Sequence, residues 1–229
     1  MPAKRIPVMS PELLRLLVQA TLDTLQMVAV AAGLGTLIGL PLGVFLATSG
    51  RGELLAAPWL NRVLGLVVNA TRSTPFIILV VAIIPFTRLI AGTSIGTAAA
   101  TVPLTVAATP FIARLVEGAI REVDGGLVEA ARAFGASPLQ IVLKVLIPEA
   151  LPGIVLGLTL AVVSLIGFSA MVGAVGGGGL GDLGIRYGYQ RFMPEMMLAV
   201  VVVLIVLVQL VQTLGDRLAR RMNKRLRHG

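Results

Sequence analysis

Few residues in this chain could do chemistry, and they are grouped. The longest stretch that keeps several charges and still looks structured is 129–152, EAARAFGASPLQIVLKVLIPEALP. Its residue types suit recognition better than catalysis, and no catalytic group is assigned in the chain. Glu129-Ala130-Ala131, then Arg132, Ala133 and Phe134, read as a small-residue helix. Gly135 fits the position after a helix end, where a left-handed backbone costs a glycine little. Ser137-Pro138 read as N-cap and first helical position of a second helix. Pro148 and Pro152 punctuate the way into the next apolar block. Two short helices meeting at a glycine corner make a compact knob, a shape that fits a socket on a partner.

Other candidates are scattered. Arg72, in Arg72-Ser73-Thr74-Pro75, lies inside an apolar stretch. Such an arginine is either a functional group within the bilayer or a residue at the headgroups where a helix starts late, and both readings stay open. Met171 lies near Ser169, Gly167 and Ser164. It is either a flexible plug on a pathway or a gap-filler in a core. The run Gly176–Gly181 lacks the Lys and Ser/Thr that cradle phosphate, and no G-x-x-x-x-G-K-[ST] segment occurs, so this chain has no nucleotide site of that kind. The glycine run reads as a re-entrant loop, a docking surface or a linker. Asp182, Arg186, Tyr187, Tyr189 and Arg191 around it are docking candidates. The lone His228 reads as a solvated end with no metal role.

The elements that must hold these residues are apolar. Of 229 residues, 56% are hydrophobic and 13% charged, with mean hydropathy +0.94. Soluble domains carry nearer a quarter charged residues, so the chain is an all-α polytopic membrane protein. Its net charge of +8 fits the cytoplasmic excess of Lys and Arg better than nucleic-acid binding. There are no cysteines, so no disulfide framework forms.

Residues 1–19 lead into the first helix, and no cleavage site is evident. Five spans are expected, at about 13–48, 60–85, 95–115, 150–175 and 195–214, with a basic cytoplasmic tail over 213–229. Gly35, Gly39 and Gly43 recur every four residues, a face for close helix packing. Pro41 is expected to kink or break the first helix. Pro103 and Pro110 imply that the third span is kinked and tightly surrounded. Arg114, Glu117, Arg121 and Glu122 continue its helical pattern out of the bilayer.

Five spans put the termini on opposite sides. The tail (Arg217, Arg220, Arg221, Lys224, Arg225, Arg227) argues for an inside C-terminus and hence an outside N-terminus. The knob then faces the cytoplasm. Five helices make a thin wall for a gated path, which a two-fold homodimer would close.

The spacing Glu129-Ala130-Ala131, Gly135, then Val145-Leu146-Ile147-Pro148 resembles the signature of ABC-importer permease subunits, Glu-Ala-Ala, three residues, Gly, nine residues, Ile-x-Leu-Pro. Val and Ile replace Ile and Leu with shape and apolarity kept. The likeness extends over nearly the whole chain. Arg72–Phe76, Pro85–Arg88, Gly92–Gly96, Pro110–Arg114 and Gly173–Tyr189 look like the methionine-importing branch of that family. The resemblance implies a type I ABC importer permease fold, with a transmembrane domain over about 20–212 and a short coupling helix within 129–148. It implies a second copy of the chain, two copies of a cytoplasmic ATPase carrying the ATP and Mg, and a substrate-binding lipoprotein on the outer face of a bacterial inner membrane. L- and D-methionine are the implied cargo. The coupling residues would be Glu129, Ala130, Ala131, Phe134, Gly135, Ser137, Pro138 and Pro148, with Glu129 holding the knob by a charge-assisted bond. The alternatives are a permease of the same class for another small polar amino acid, and an ATP-independent channel or secondary transporter. The latter would use intramembrane acids, and only Asp23 and Glu149 come near the ends of the apolar runs.

Overall fold

The structure is a computed structural model that describes residues 10–222. Lys4, Arg5, Lys224, Arg225, Arg227 and His228 lie outside the described residues. Among those described, every regular element is a helix.

The first helix, α1 (Pro11–Thr48), starts where the Ser10 hydroxyl accepts from the Leu13 N–H and Pro11 supplies a first position that needs no donor. It continues through Pro41, so the proline does not end it. At 1.5 Å per residue it is about 57 Å long, well beyond the roughly 30 Å of a hydrocarbon core. The excess lies at its N-terminal end, where it stands beside elements described below.

The second expected span is broken. α2 (Pro58–Ser73) and α3 (Phe76–Ala82) meet at 104°. Pro75 has no N–H for the helix ladder, and its ring forces the preceding Thr74 to be extended, at ψ 125°. α4 (Ile84–Ala91) follows at once and ends on Gly92. Arg88 lies in its last turn.

The third span, α5 (Thr97–Arg121), is the hub. It packs along α1 and against α8 (Ile147–Gly173), α2 and α4. Half of its most apolar window is buried within one chain, against 6% for the last helix, which is thereby peripheral. Pro103 and Pro110 are both buried in it, as their tightly surrounded setting requires. The glycine face of α1 makes the close approach possible. A Cβ at Gly35 would stand 2.7 Å from the Ala108 Cβ, one at Gly39 2.7 Å from the Thr109 carbonyl oxygen, and one at Gly43 would strike the Ala113 carbonyl. Any side chain there would wedge the two helices apart.

After α6 (Gly125–Ala133) comes α7 (Pro138–Ile141), which does not stop before the membrane. It passes through one wide turn, Val142–Leu146, into α8, giving one helix over Pro138–Gly173. The second short helix expected from the sequence is thus the first turn of the fourth span. Pro148 explains the wide turn: it offers no N–H to the Lys144 carbonyl and its ring would crowd that oxygen, and a wider turn relieves both.

The glycine-rich stretch is structured. α9 (Gly179–Leu183) continues as a widened helix over Gly184–Gln190. The Leu180 N–H donates to Thr24 Oγ1 at 2.9 Å, and the Gly96 N–H to the Gly176 carbonyl at 2.8 Å. Leu180 and Leu183 join Leu17, Ala20, Met196 and Val200 in a small core of their own. This core supports the extra length of α1. Removing the buried acceptor with Thr24→Val should cost about 1–3 kcal/mol, because the Leu180 N–H is left unpaired away from water. A lower thermal midpoint of the purified protein would register it.

The last helix, α10 (Pro194–Met222), runs past residue 214. Arg217, Arg220 and Arg221 are therefore helical. Among the described residues, four helices are long and apolar enough to cross a membrane, and the bent α2–α3 pair makes a fifth span if counted as one. Chain direction puts α6, the loop 49–57 and the end of α10 at one end of the bundle, and the start of α1, the loop 92–96 and α9 at the other.

Candidate functional site: an exposed knob and its support

The knob is built by two terminators back to back. α6 begins on Asp124, whose carboxylate accepts from the Gly126 N–H. It ends with two bonds, Gly135 N–H to the Arg132 carbonyl (2.9 Å) and Ala136 N–H to the Ala131 carbonyl (3.0 Å). Together with φ +78° at Gly135 these define a Schellman end. The next helix starts immediately. Ser137 accepts from the Gln140 N–H and Gln140 Oε1 accepts from the Ser137 N–H, closing a capping box with Pro138 at the first position. Four residues, 134–137, thus join the two helices with the polar backbone groups of both helix ends largely satisfied, so the corner is stiff.

α6 is two-sided. Val128 and Ala131 pack, with Ala136 and Leu54, against the main core. Glu129, Ala130, Ala133 and Phe134 point away. Ala131 therefore faces the chain's own body, not a partner, which narrows the contact surface expected from the sequence. Phe134 is 92% exposed and Leu139 58%. Glu129 is exposed and makes no ion pair or hydrogen bond among the described residues, so the bond expected to brace the knob is not formed. The caps do that work instead. Pro148 is exposed and lines a cavity with Lys144, Glu122 and Glu149 behind the knob.

The knob's base carries a charge cluster that sequence reasoning missed. Glu117 is 5% exposed and sits between Arg114 and Arg121, its Oε1 2.8 Å from the Arg121 guanidinium. Arg114 also donates to Asn69 Oδ1 at 2.8 Å and to the Gly65 carbonyl at 3.4 Å, both on α2. These residues do not simply continue α5 into water: they tie α5 to the arm of the bent span. The alternating signs at 114, 117 and 121, at helical i, i+3 and i+7 spacing, were the available signal.

The pathway candidates separate. Leu156, Leu160, Ser164, Gly167, Met171 and Ala174 form one stripe along α8, three or four residues apart, and none is fully covered within a single chain. Met171 is 48% exposed on it. Ser169 lies on the opposite face, 2% exposed, its hydroxyl donating to the Ile166 carbonyl of its own helix. Ser164 is on the stripe, but its hydroxyl donates to the Leu160 carbonyl. Arg72 is not on the stripe; it is exposed in the last turn of α2.

At the end opposite the knob, Asp182 pairs with Arg186, and the Arg191 guanidinium lies 4.4 Å from the centre of the Tyr187 ring. Tyr189 and Phe192 are 70% and 86% exposed. The docking candidates thus cluster, and Phe192, held at φ +53°, joins them without having been expected. Among the described residues no group of three or more His, Asp or Glu is placed to hold a metal ion.

The bundle of apolar helices thus leaves an exposed apolar knob at one end and a structured polar-aromatic face at the other. Residues 39–228 match the family described as binding-protein-dependent transport system inner membrane component, and the chain belongs to that family. It is 57% identical over 210 residues to a probable D-methionine transport system permease protein of Vibrio cholerae, covering 92% of this chain and 93% of the relative. It is 53% identical over 165 residues to the D-methionine transport system permease protein of Escherichia coli K12, covering 72% and 76%. A permease chain in an inward-facing structure of a methionine ABC transporter superposes with TM-score 0.92 at 51% identity, over 94% of this chain and 100% of that one.

Proposed function

We propose that this chain is the membrane subunit of an ATP-driven importer of methionine, in both enantiomers, working by alternating access. The substrate class rests on relatives of 57% and 53% identity whose names specify D-methionine. The mode of coupling rests on one observation, the stiffly capped knob that presents Phe134 to solvent. In this reading residues 20–212 are the transporting domain. Two copies of the chain pair across the uncovered α8 stripe, and each knob seats in a groove on one of two ATPase subunits. The ATPases carry the ATP and Mg, and this chain performs no hydrolysis. The knobs and α10's basic end face the cytoplasm, which puts the N-terminus outside. The α9 end then faces a substrate-binding lipoprotein, contacted by Asp182, Arg186, Tyr187, Tyr189 and Arg191. When ATP draws the ATPases together, the knobs follow as rigid handles and the spans swing from inward-open to outward-open.

The test is uptake of labelled L- and D-methionine into vesicles holding this chain, its ATPase and its binding protein. ATP-dependent accumulation of both is expected. Accumulation of another amino acid instead would keep the class and overturn the cargo, and accumulation without ATP would overturn the class.

Met171 is the gate in this reading, two copies meeting on the dimer axis where the stripe reaches the outer end. Met171→Ala should raise ATP turnover in the absence of substrate by about fivefold, the factor that 1 kcal/mol of lost closure gives. Idle turnover equal to wild type would remove Met171 from the gate.

A further inference from the structure

Beside the bend in the second span lies a half-open cavity of about 320 Å³, within the range of roughly 300–1,000 Å³ typical of small-ligand pockets. Its wall combines Arg72, Thr71 and Thr74 at the end of α2 with Phe76, Phe111 and Phe168 from α3, α5 and α8. Phe76 and Phe168 stack at 4.5 Å between ring centres, forming an apolar floor.

Arg72 has no carboxylate partner among the described residues. Among the described residues its one hydrogen-bond, ion-pair or ring contact is with Phe111, 6.0 Å from the guanidinium carbon to the ring centre, at the outer limit of a cation–π interaction. Nor does the helix end depend on it. The hydroxyls of Thr71, Ser73 and Thr74 donate to the carbonyls of Val67, Asn69 and Ala70, each four residues back. Those hydroxyl oxygens keep lone pairs free to accept from a ligand. The depth is that of a transport path: α2 rises about 21 Å from Pro58 to Arg72, and Phe111 lies about 15 Å along α5 from Arg121, both measured from the knob end. A cation held near the middle of a span without a counter-charge is costly, and such residues mark substrate pathways.

We propose that this cavity is a transient binding site for the transported amino acid. Arg72 takes its carboxylate, the Thr71 and Thr74 hydroxyl oxygens its ammonium, and Phe76, Phe111 and Phe168 its apolar side chain. The proposal rests on the methionine reading only for the choice of probe. The ligand class is a zwitterion with an unbranched apolar side chain. A guanidinium and neutral acceptors suit that head group, and flat aromatic rings suit a thioether.

The test is equilibrium binding of labelled methionine to the detergent-purified permease–ATPase complex without the binding protein. Wild type should bind it, and norleucine should displace it. Methionine methyl ester, which lacks the carboxylate, should not. Arg72→Met should weaken binding at least about tenfold, because the charge-assisted contact to the ligand's carboxylate is removed, and Arg72→Lys should fall between. Equal displacement by the ester, unchanged affinity in Arg72→Met, or no binding by a wild-type complex that does accumulate methionine would each overturn the site. A complex that accumulates no methionine under any condition counts against the proposed function instead. Retained ATPase on purification checks folding of the variants. Should Arg72→Met fail that check, Arg72→Lys and the ester decide.

Discussion

Replacing Phe134 by alanine is expected to separate the permease from its ATPase while leaving the permease itself folded. With 92% of its surface exposed, Phe134 contributes almost nothing to the core of its own chain. Its loss should change the stability of the isolated protein by no more than about 0.5 kcal/mol. In a groove the same ring would bury on the order of 150 Å² of apolar surface, about 4 kcal/mol at 25 cal/mol per Å². Alanine retains part of that, so about 3 kcal/mol, or roughly a hundredfold in affinity, should be lost at each knob. ATPase recovered with the detergent-extracted variant should drop sharply, and ATP-driven uptake should fall at least about tenfold with it. The corner beside it predicts a milder effect. A Cβ at Gly135 would meet nothing within 4 Å. Gly135→Ala therefore adds only the backbone cost of a left-handed residue, about 1–2 kcal/mol. Undiminished co-purification of the ATPase with Phe134→Ala would remove the knob from the coupling interface.

The sequence made the knob's corner legible because its signals are local. Gly135, Ser137 and Pro138 each demand a particular backbone, and the caps form between residues at most five apart. The Gly35–Gly39–Gly43 face was legible for a related reason, since helical spacing alone puts the three on one side. What was not legible depended on partners distant in sequence. Whether Ala131 turns inward is decided by Leu54 and the α5–α8 core. The glycine-rich stretch looked irregular because its composition is poor for helices; it is ordered by Thr24, 156 positions from the amide it receives. Arg72 could be read as membrane-buried or as a headgroup residue, and the 104° bend that shapes its cavity is not fixed by Pro75 alone. The continuity of α7 with α8 was missed because two prolines normally argue for a stop, and one widened turn absorbs the first of them.

Glu117→Ala should destabilise the chain more than any single change at the knob surface. Glu117 is nearly buried and holds two arginines, one from each direction along α5. Breaking a buried pair by removing one partner typically costs about 3–5 kcal/mol, because the remaining charge stays desolvated. Here the Arg121 side chain is 60% exposed and can return to solvent, whereas Arg114 is 25% exposed and anchored to Asn69 and Gly65. The expected loss is therefore at or below the bottom of that range, about 2–3 kcal/mol, or roughly 5–10 °C in the thermal midpoint for a chain of this size. Asn69→Ala should cost less, since Arg114 keeps its carboxylate. Arg114→Ala combined with Glu117→Ala should cost less than the sum of the two, because the second substitution removes the charge that the first left unpaired. Strict additivity would mean that the two side chains do not act as a pair. The cluster's position gives the result a functional side. It joins α5, which leads into the knob, to α2, which leads into the bend and its cavity. A pull on the knob reaches the bent span through α5 and this tie, so Glu117→Gln, which keeps the volume but not the charge, should lower uptake per ATP hydrolysed more than it lowers the thermal midpoint.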